Sequence, residues 1–80
     1  MRVEFVRRLG VPPQERGSTT NGTCPDIFEL SDGNFAVIGT DRTAELADRL
    51  PPDAAIADYE RIVVVSRATV LAAKRDIPNT

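Results

Sequence analysis

Two short apolar runs with a polar turn between them dominate the pattern of hydrophobic and polar positions along the chain. They lie within residues 26–39, and Asp32 and Gly33 stand between them. An Asp-Gly pair between apolar runs predicts a β-hairpin with a two-residue turn, because both residue types accept the positive φ angles of that turn. In this register Ile27 lies opposite Ile38 on the neighbouring strand.

The predicted register gives the hairpin two faces of different character. One face is wholly apolar and carries Phe28, Leu30, Phe35 and Val37. The other face is mixed and carries Ile27, Glu29, Ala36 and Ile38. Because an apolar patch beside a charge is typical of a contact surface, these last four residues form the candidate interaction surface. The alternative is that the first helix covers this face within the chain.

Helical spacing of apolar residues predicts two helices after the hairpin. The first covers about residues 41–50, is capped by Thr40 or Asp41 and ends before Pro51. The second covers about residues 67–76, with Ser66 as its N-cap. Its apolar side is predicted to pack on a sheet through two adjoining stripes, formed by Val70, Ala73 and Ile77 and by Ala68, Leu71 and Ala72.

Two further segments are predicted to be strands. Residues 61–66 contain four consecutive β-branched apolar residues, which predicts a central strand buried on both faces. Residues 2–8 alternate in a way that favours a short edge strand, although Val6 and Leu9 would also suit a helical turn. Residues 10–23 are predicted to be a flexible loop or linker, so a tethered N-terminal arm that orders on a partner is an alternative.

The expected fold is therefore α+β, with a small antiparallel sheet and two helices in a single domain over residues 1–80. A chain of 80 residues buries only about 60% of its unfolded surface, which makes an isolated core marginal. One cysteine excludes an internal disulfide, and the absence of histidine disfavours a zinc site. We expect no cofactor and no metal, and we expect stability to come from self-association or from a protein partner.

The charge balance argues against a dedicated nucleic-acid binder. Ten Lys and Arg residues stand against twelve Asp and Glu residues, for a net charge of −2. The alternative of a DNA-associated protein needs the basic residues on one face, namely Arg7, Arg8, Arg67, Lys74 and Arg75. No signal-peptide pattern and no apolar run of about 20 residues is visible, so a cytoplasmic location and no membrane contact are expected.

No catalytic site is predicted. Cys24 has no histidine anywhere in the chain to act as its base, so it is interpreted as a small residue at a strand start. The remaining enzymatic alternative is a small enzyme that uses carboxylates, drawn from Asp26, Glu29, Asp32, Asp41, Asp58 and Glu60. Most of these have local structural roles in the predicted turn, helix start and strand ends.

Three segments together resemble the small BldB-like proteins of actinobacteria. They are residues 18–24 with their Asn-Gly and cysteine, the hairpin over residues 28–37, and residues 62–66 leading into a capped helix. This chain departs from the family at residues 38–40, where the family has an Asp-Ser pair, and at Val70, where it has tryptophan. Residues 42–58 form an insertion. The resemblance implies a non-enzymatic accessory to transcriptional control that contacts a helix-turn-helix regulator and self-associates.

Overall fold

The computed structural model describes residues 2–11 and 25–80 and has an α+β fold. Three strands form an antiparallel sheet in the order β1–β2–β3. Their bounds are Phe5–Arg8 for β1, Asp26–Leu30 for β2 and Phe35–Ile38 for β3. A separate two-stranded ladder pairs β4, Thr40–Asp41, with β5, Val63–Val64. The predicted fold class and the predicted N-terminal edge strand are confirmed.

Both predicted helices form, and each ends in a 3-10 turn. Helix α1 covers Thr43–Leu46 and continues as a 3-10 turn over Ala47–Arg49. Helix α2 covers Arg67–Ala73 and continues as a 3-10 turn over Lys74–Asp76. In the described part of the chain, neither helix has the length or the apolar content to cross a membrane.

Only helix α2 is capped by the side chain of its N-cap residue. The Ser66 hydroxyl accepts a hydrogen bond from Thr69 N at 3.2 Å, which confirms the predicted N-cap of α2. The N-cap of α1 is Arg42, whose side chain makes no capping hydrogen bond, so the prediction of Thr40 or Asp41 as the N-cap was wrong. The carboxylate of Asp41, one residue earlier, accepts from both the backbone N–H and the hydroxyl of Thr43. These two hydrogen bonds, the hydroxyl first, lower the pKa of Asp41 below its usual 3.8.

The hairpin turn is one residue longer than predicted. Leu30 N donates to Asn34 O at 2.8 Å, and Gly33 N donates to Leu30 O at 3.0 Å, so the loop contains three residues. Within it only Gly33 has a positive φ, of 89°, as in a type I turn followed by a glycine bulge. Asp32 has a negative φ, as a central residue of a type I turn does, and its carboxylate accepts from Asn34 N at 3.0 Å.

This longer turn shifts the register of the hairpin by one position. Ile27 pairs with Val37 instead of Ile38, and Phe28 pairs with Ala36 instead of Val37. The predicted register was therefore wrong. Because side chains alternate between faces, a shift of one residue exchanges the two faces of one strand relative to the other.

Residues 61–66 do not form a central strand, so this prediction was wrong. Only Val63 and Val64 are in strand conformation, they pair only with β4 among the described strands, and both are exposed. Gly39 separates β3 from β4, and a Cβ atom there would lie 2.7 Å from Val64 O. The chain leaves the main sheet at this glycine, so β5 meets only the short continuation of the strand.

The N-terminal segment is part of the sheet and contributes one residue to the core. Strand β1 pairs with β2, with an irregular register between Phe5 and Arg7. Leu9 follows with only 2% exposure, and its N–H donates to Ile27 O at 2.9 Å. The tethered-arm alternative was therefore wrong for residues 2–9. Most of the predicted loop over residues 10–23, and Cys24, lie outside the described residues.

Helix α2 approaches the N-terminal backbone through its small side chains. Gly10 has a φ of 89°, and a Cβ atom on it would lie 2.9 Å from Ala72 C. Gly10 N donates to the Asp76 carboxylate at 2.8 Å, and the Arg7 guanidinium donates to Asp76 O at 2.8 Å. At this distance there is no room for a bulky side chain between the helix and the end of β1.

The close approach decides which side of α2 is buried. Thr69 and Ala73 are the buried residues of the helix, with exposures of 1% and 0%. Val70, Leu71 and Ile77 are all exposed, although the sequence pattern predicted them to pack on the sheet. Of the two predicted apolar stripes, only Ala72 and Ala73 face inward, whereas Ala68 is exposed. The space beside Gly10 admits only small residues.

We expect Gly10→Ala to destabilise the fold more than Gly33→Ala. Both glycines have a φ of 89°, so each substitution costs about 1–2 kcal/mol of backbone strain. Only at Gly10 does the new Cβ also meet the backbone of Ala72, whereas nothing lies within 4 Å of it at Gly33. Urea unfolding, followed by circular dichroism at equal protein concentration, measures the free energy of unfolding of both variants. Equal losses would contradict the close packing of α2 at Gly10.

Candidate interaction surface

The observed register assigns each residue of the sheet to one of two faces, because cross-strand partners share a face. We call the first the helix-side face, which is identified by the bond from Arg7 to Asp76 and by the burial of Leu9. It carries Arg7, Leu9, Ile27, Glu29, Phe35 and Val37. We call the second the open face. It carries Phe5, Arg8, Asp26, Phe28, Leu30, Ala36 and Ile38.

The four residues of the predicted interaction surface are divided between these faces. Ala36 and Ile38 lie on the open face, and Ile38 is exposed. Ile27 and Glu29 lie on the helix-side face, where Glu29 accepts from Arg7 Nε at 2.8 Å. The expectation that all four share one face was wrong, because the turn holds one residue more than the prediction assumed.

Sequence reasoning missed three aromatic and aliphatic members of the open face. They are Phe5, Phe28 and Leu30. The identity of the residue after the turn could have identified two of them. Asn34 can donate hydrogen bonds to the Asp32 carboxylate, and this favours the three-residue loop. That loop places Phe28 and Leu30 on the same face as Ile38. Helix α1 buries none of its residues, and its main contacts are with its own 3-10 continuation.

An aromatic cluster forms the centre of the open face. The rings of Phe5 and Phe28 meet edge to face, with centroids 5.1 Å apart and an interplanar angle of 71°. The guanidinium of Arg8 lies over the Phe28 ring, 5.0 Å from its centroid. Phe5 is 65% exposed, so the cluster is preorganised and still accessible to a partner.

The charges on the open face neutralise each other. Arg8 Nε lies 3.0 Å from both carboxylate oxygens of Asp26. Asp26 is 5% exposed, so its charge is removed from water and held by Arg8. Ile38 lies directly opposite Asp26 on β3. The open face therefore presents apolar groups around one internal ion pair, with no net charge of its own.

The five cations required for a DNA-associated protein are not gathered on one face. Arg7 lies on the helix-side face and pairs with Glu29, while Arg8 lies on the open face and pairs with Asp26. The other three, Arg67, Lys74 and Arg75, lie on α2 and its 3-10 continuation. Of these five cations, the two in the sheet are thus paired within the chain, and the three on the helical segment form no ion pair with another described residue.

Five of the six acidic residues considered for catalysis accept hydrogen bonds from nearby groups. Asp26 binds Arg8, Glu29 binds Arg7, and the Glu60 carboxylate accepts from Ala57 N at 2.8 Å. Glu45 pairs with Arg42, whose hydrogen bonds lower the pKa of Glu45. Within residues 2–11 and 25–80, no three His, Cys, Asp or Glu side chains stand close enough to hold a metal ion.

Comparisons with family models, with curated proteins and with solved structures found no match to this chain.

We expect Arg8→Met to lower the free energy of unfolding by about 1–2 kcal/mol. The buried Asp26 would lose its charged partner and keep only the hydrogen bond from Ile27 N among its bonds to described residues. The full cost of an unpaired buried charge is reduced because Arg8 itself is partly exposed. Adding Asp26→Asn to this variant should recover part of the loss. The measurement is urea unfolding, and Arg42→Met is the matched control because its pair with Glu45 is exposed. An equal loss in the control would contradict the role assigned to the Arg8–Asp26 pair.

Proposed function

We propose that this chain is a cytoplasmic, non-enzymatic protein-interaction module. The observation that carries the proposal is the distribution of apolar side chains among the described residues. Only Leu9 and Ala73 are apolar and fully buried. Thirteen large apolar side chains, in contrast, are at least 36% exposed, and they occur in the strands, in α2 and in the connecting segments.

This distribution is energetically unfavourable for an isolated chain. Each square ångström of apolar surface left in water forgoes about 25 cal/mol of stabilisation. A chain of this length has little core with which to compensate. Contact with another protein surface removes these groups from water, so association supplies stabilisation that the fold alone lacks.

We infer that a second copy of the chain occupies the open face. Two open faces related by a two-fold axis would bring the clusters of Phe5 and Phe28 together with Ile38. Because the Arg8–Asp26 pair is internal to each copy, this arrangement places no uncompensated like charges in contact. A sheet face packed on a sheet face is also the usual way in which a small sheet completes its core.

We expect Ile38→Lys to weaken self-association by at least about tenfold in dissociation constant. In the single chain the lysine would lie opposite Asp26 and so be compatible with the fold. In the dimer its ammonium group would be removed from water between two apolar faces. Sedimentation equilibrium over a range of concentrations gives the mass of each variant relative to the 8.7 kDa chain.

The matched control for this experiment is Tyr59→Lys. Tyr59 is 87% exposed and lies in the connector before β5, away from the sheet. The control should leave the dissociation constant within about twofold of the unchanged protein. A wild-type protein that keeps the mass of one chain at every concentration, or equal effects of the two substitutions, would contradict the dimer.

We further propose that the partner of the module is a transcription regulator of the helix-turn-helix type. The support for this step is the resemblance of residues 18–76 to the BldB-like proteins, which often lie beside such regulators. The module would act as an accessory that changes the activity of the regulator through protein contact, without chemistry of its own.

The test is reconstitution with the helix-turn-helix regulator encoded nearest to the gene of this chain. We expect the two purified proteins to elute together in size-exclusion chromatography. We also expect the regulator to change its affinity for its operator by at least about threefold, measured by fluorescence anisotropy with labelled DNA. Separate elution together with an unchanged operator affinity would contradict this proposal and leave the dimer as a separate question.

A further inference from the structure

We propose that the outer face of α2 binds an acidic amphipathic helix of a partner protein. The outer face is defined by Arg67, Val70, Leu71, Lys74, Arg75 and Ile77. The proposal rests on the chain acting as an interaction module, and it names the chemistry of the partner at a surface separate from the open face.

The outer face is a continuous arc of the helix. At 100° per residue, the buried Thr69 and Ala73 share one side with Ala72 and Asp76, which are half-buried. Five of the six outer-face residues fall on the opposite side, and Ile77 follows the 3-10 turn in extended conformation. All six are exposed. The bulky apolar side chains of α2 therefore point away from the sheet, which is the reverse of an ordinary surface helix.

The apolar part of the outer face forms a row with shallow depressions on both sides. Leu71 is 58% exposed and lies at the centre. One depression lies between Leu71 and Val65, beside Arg67 and Val70, and another lies between Leu71 and Ile77, beside Lys74. Apolar residues at spacings of three and four along a partner helix would fill such depressions.

The charged side chains of the outer face are positive and accessible to a partner. Arg67, Lys74 and Arg75 are exposed and form no ion pair with another described residue. Asp76, the one acidic residue of this segment, is turned inward to accept from Gly10 N. A partner that carries carboxylates beside its apolar anchors would therefore pair with three free cations.

Charge and shape together select this partner over the alternatives. A second copy of the outer face would oppose three cations with three cations, which disfavours self-pairing here. Duplex DNA would match the cations, but its phosphates would leave Val70, Leu71 and Ile77 without apolar contact. An acidic amphipathic helix satisfies both groups at once.

The probe is a fluorescein-labelled peptide of about 16 residues with leucine on one helical face and glutamate around it. We expect saturable binding by fluorescence anisotropy. A second peptide with glutamine for every glutamate, and a third with serine for every leucine, should each bind at least about tenfold more weakly. If only one of the two altered peptides bound more weakly than the acidic peptide, the proposal that charge and apolar groups are recognised together would be overturned.

Variants of the protein locate the site. Leu71→Gln should weaken binding of the acidic peptide by at least about tenfold, and Lys74→Glu by at least about fivefold. Tyr59→Gln and Arg49→Glu make the same changes at exposed positions elsewhere and should each change affinity by less than about twofold. Equal effects of Lys74→Glu and Arg49→Glu would show attraction by overall charge and would overturn the site.

Two further measurements separate this proposal from the others. Duplex DNA that competes with the peptide at equal concentration would overturn the preference for a protein partner. The Ile38→Lys variant, which tests the open face, should bind the peptide as tightly as the unchanged protein. Loss of the dimer with retained peptide binding separates the two surfaces, and absence of peptide binding in a protein that still dimerises overturns only the outer-face site.

Discussion

The contact between the end of β1 and the inner side of α2 is the constraint on which the rest of the structure depends. Gly10 brings its backbone so close to Ala72 that only small side chains fit between them. Asp76 secures the approach by accepting from Gly10 N while its carbonyl accepts from Arg7. Because the helix is seated by backbone groups and alanines, its larger apolar residues are left on the outside, where a partner can reach them.

Local features were predictable from the sequence, whereas features that depend on distant residues were not. Ser66 caps α2 through a bond three residues away, so its role followed from the adjacent sequence. The hairpin also followed from local pattern, but its register depended on the length of the turn, where two hydrogen bonds join Asn34 to the Asp32 carboxylate and favour the longer loop. Which side of α2 is buried depends on its contact with Gly10, which lies about sixty residues earlier in the chain. The periodicity of apolar residues within the helix contains no information about that contact.

The candidate interaction surface shows the same contrast between features set by nearby residues and features set by distant ones. Ala36 and Ile38 were placed correctly on one face with each other, since they share a strand. Ile27 and Glu29 were misplaced, because their position relative to β3 depends on the turn. The two proposed surfaces that result differ in kind: the open face is apolar and internally neutral, and the outer face of α2 is apolar and cationic. A neutral surface suits a copy of itself, whereas a cationic one requires a partner of different composition.

The adjacent residues Arg7 and Arg8 restrict the register in which β1 can pair with β2. They project to opposite sides of the sheet, and each binds a carboxylate on its own side, Glu29 for one and Asp26 for the other. Sliding β1 along β2 by a single step would exchange the sides of both arginines and break both ion pairs together. An edge strand, which is ordinarily prone to slippage, is thus held in a single register by two ion pairs on opposite faces of the sheet.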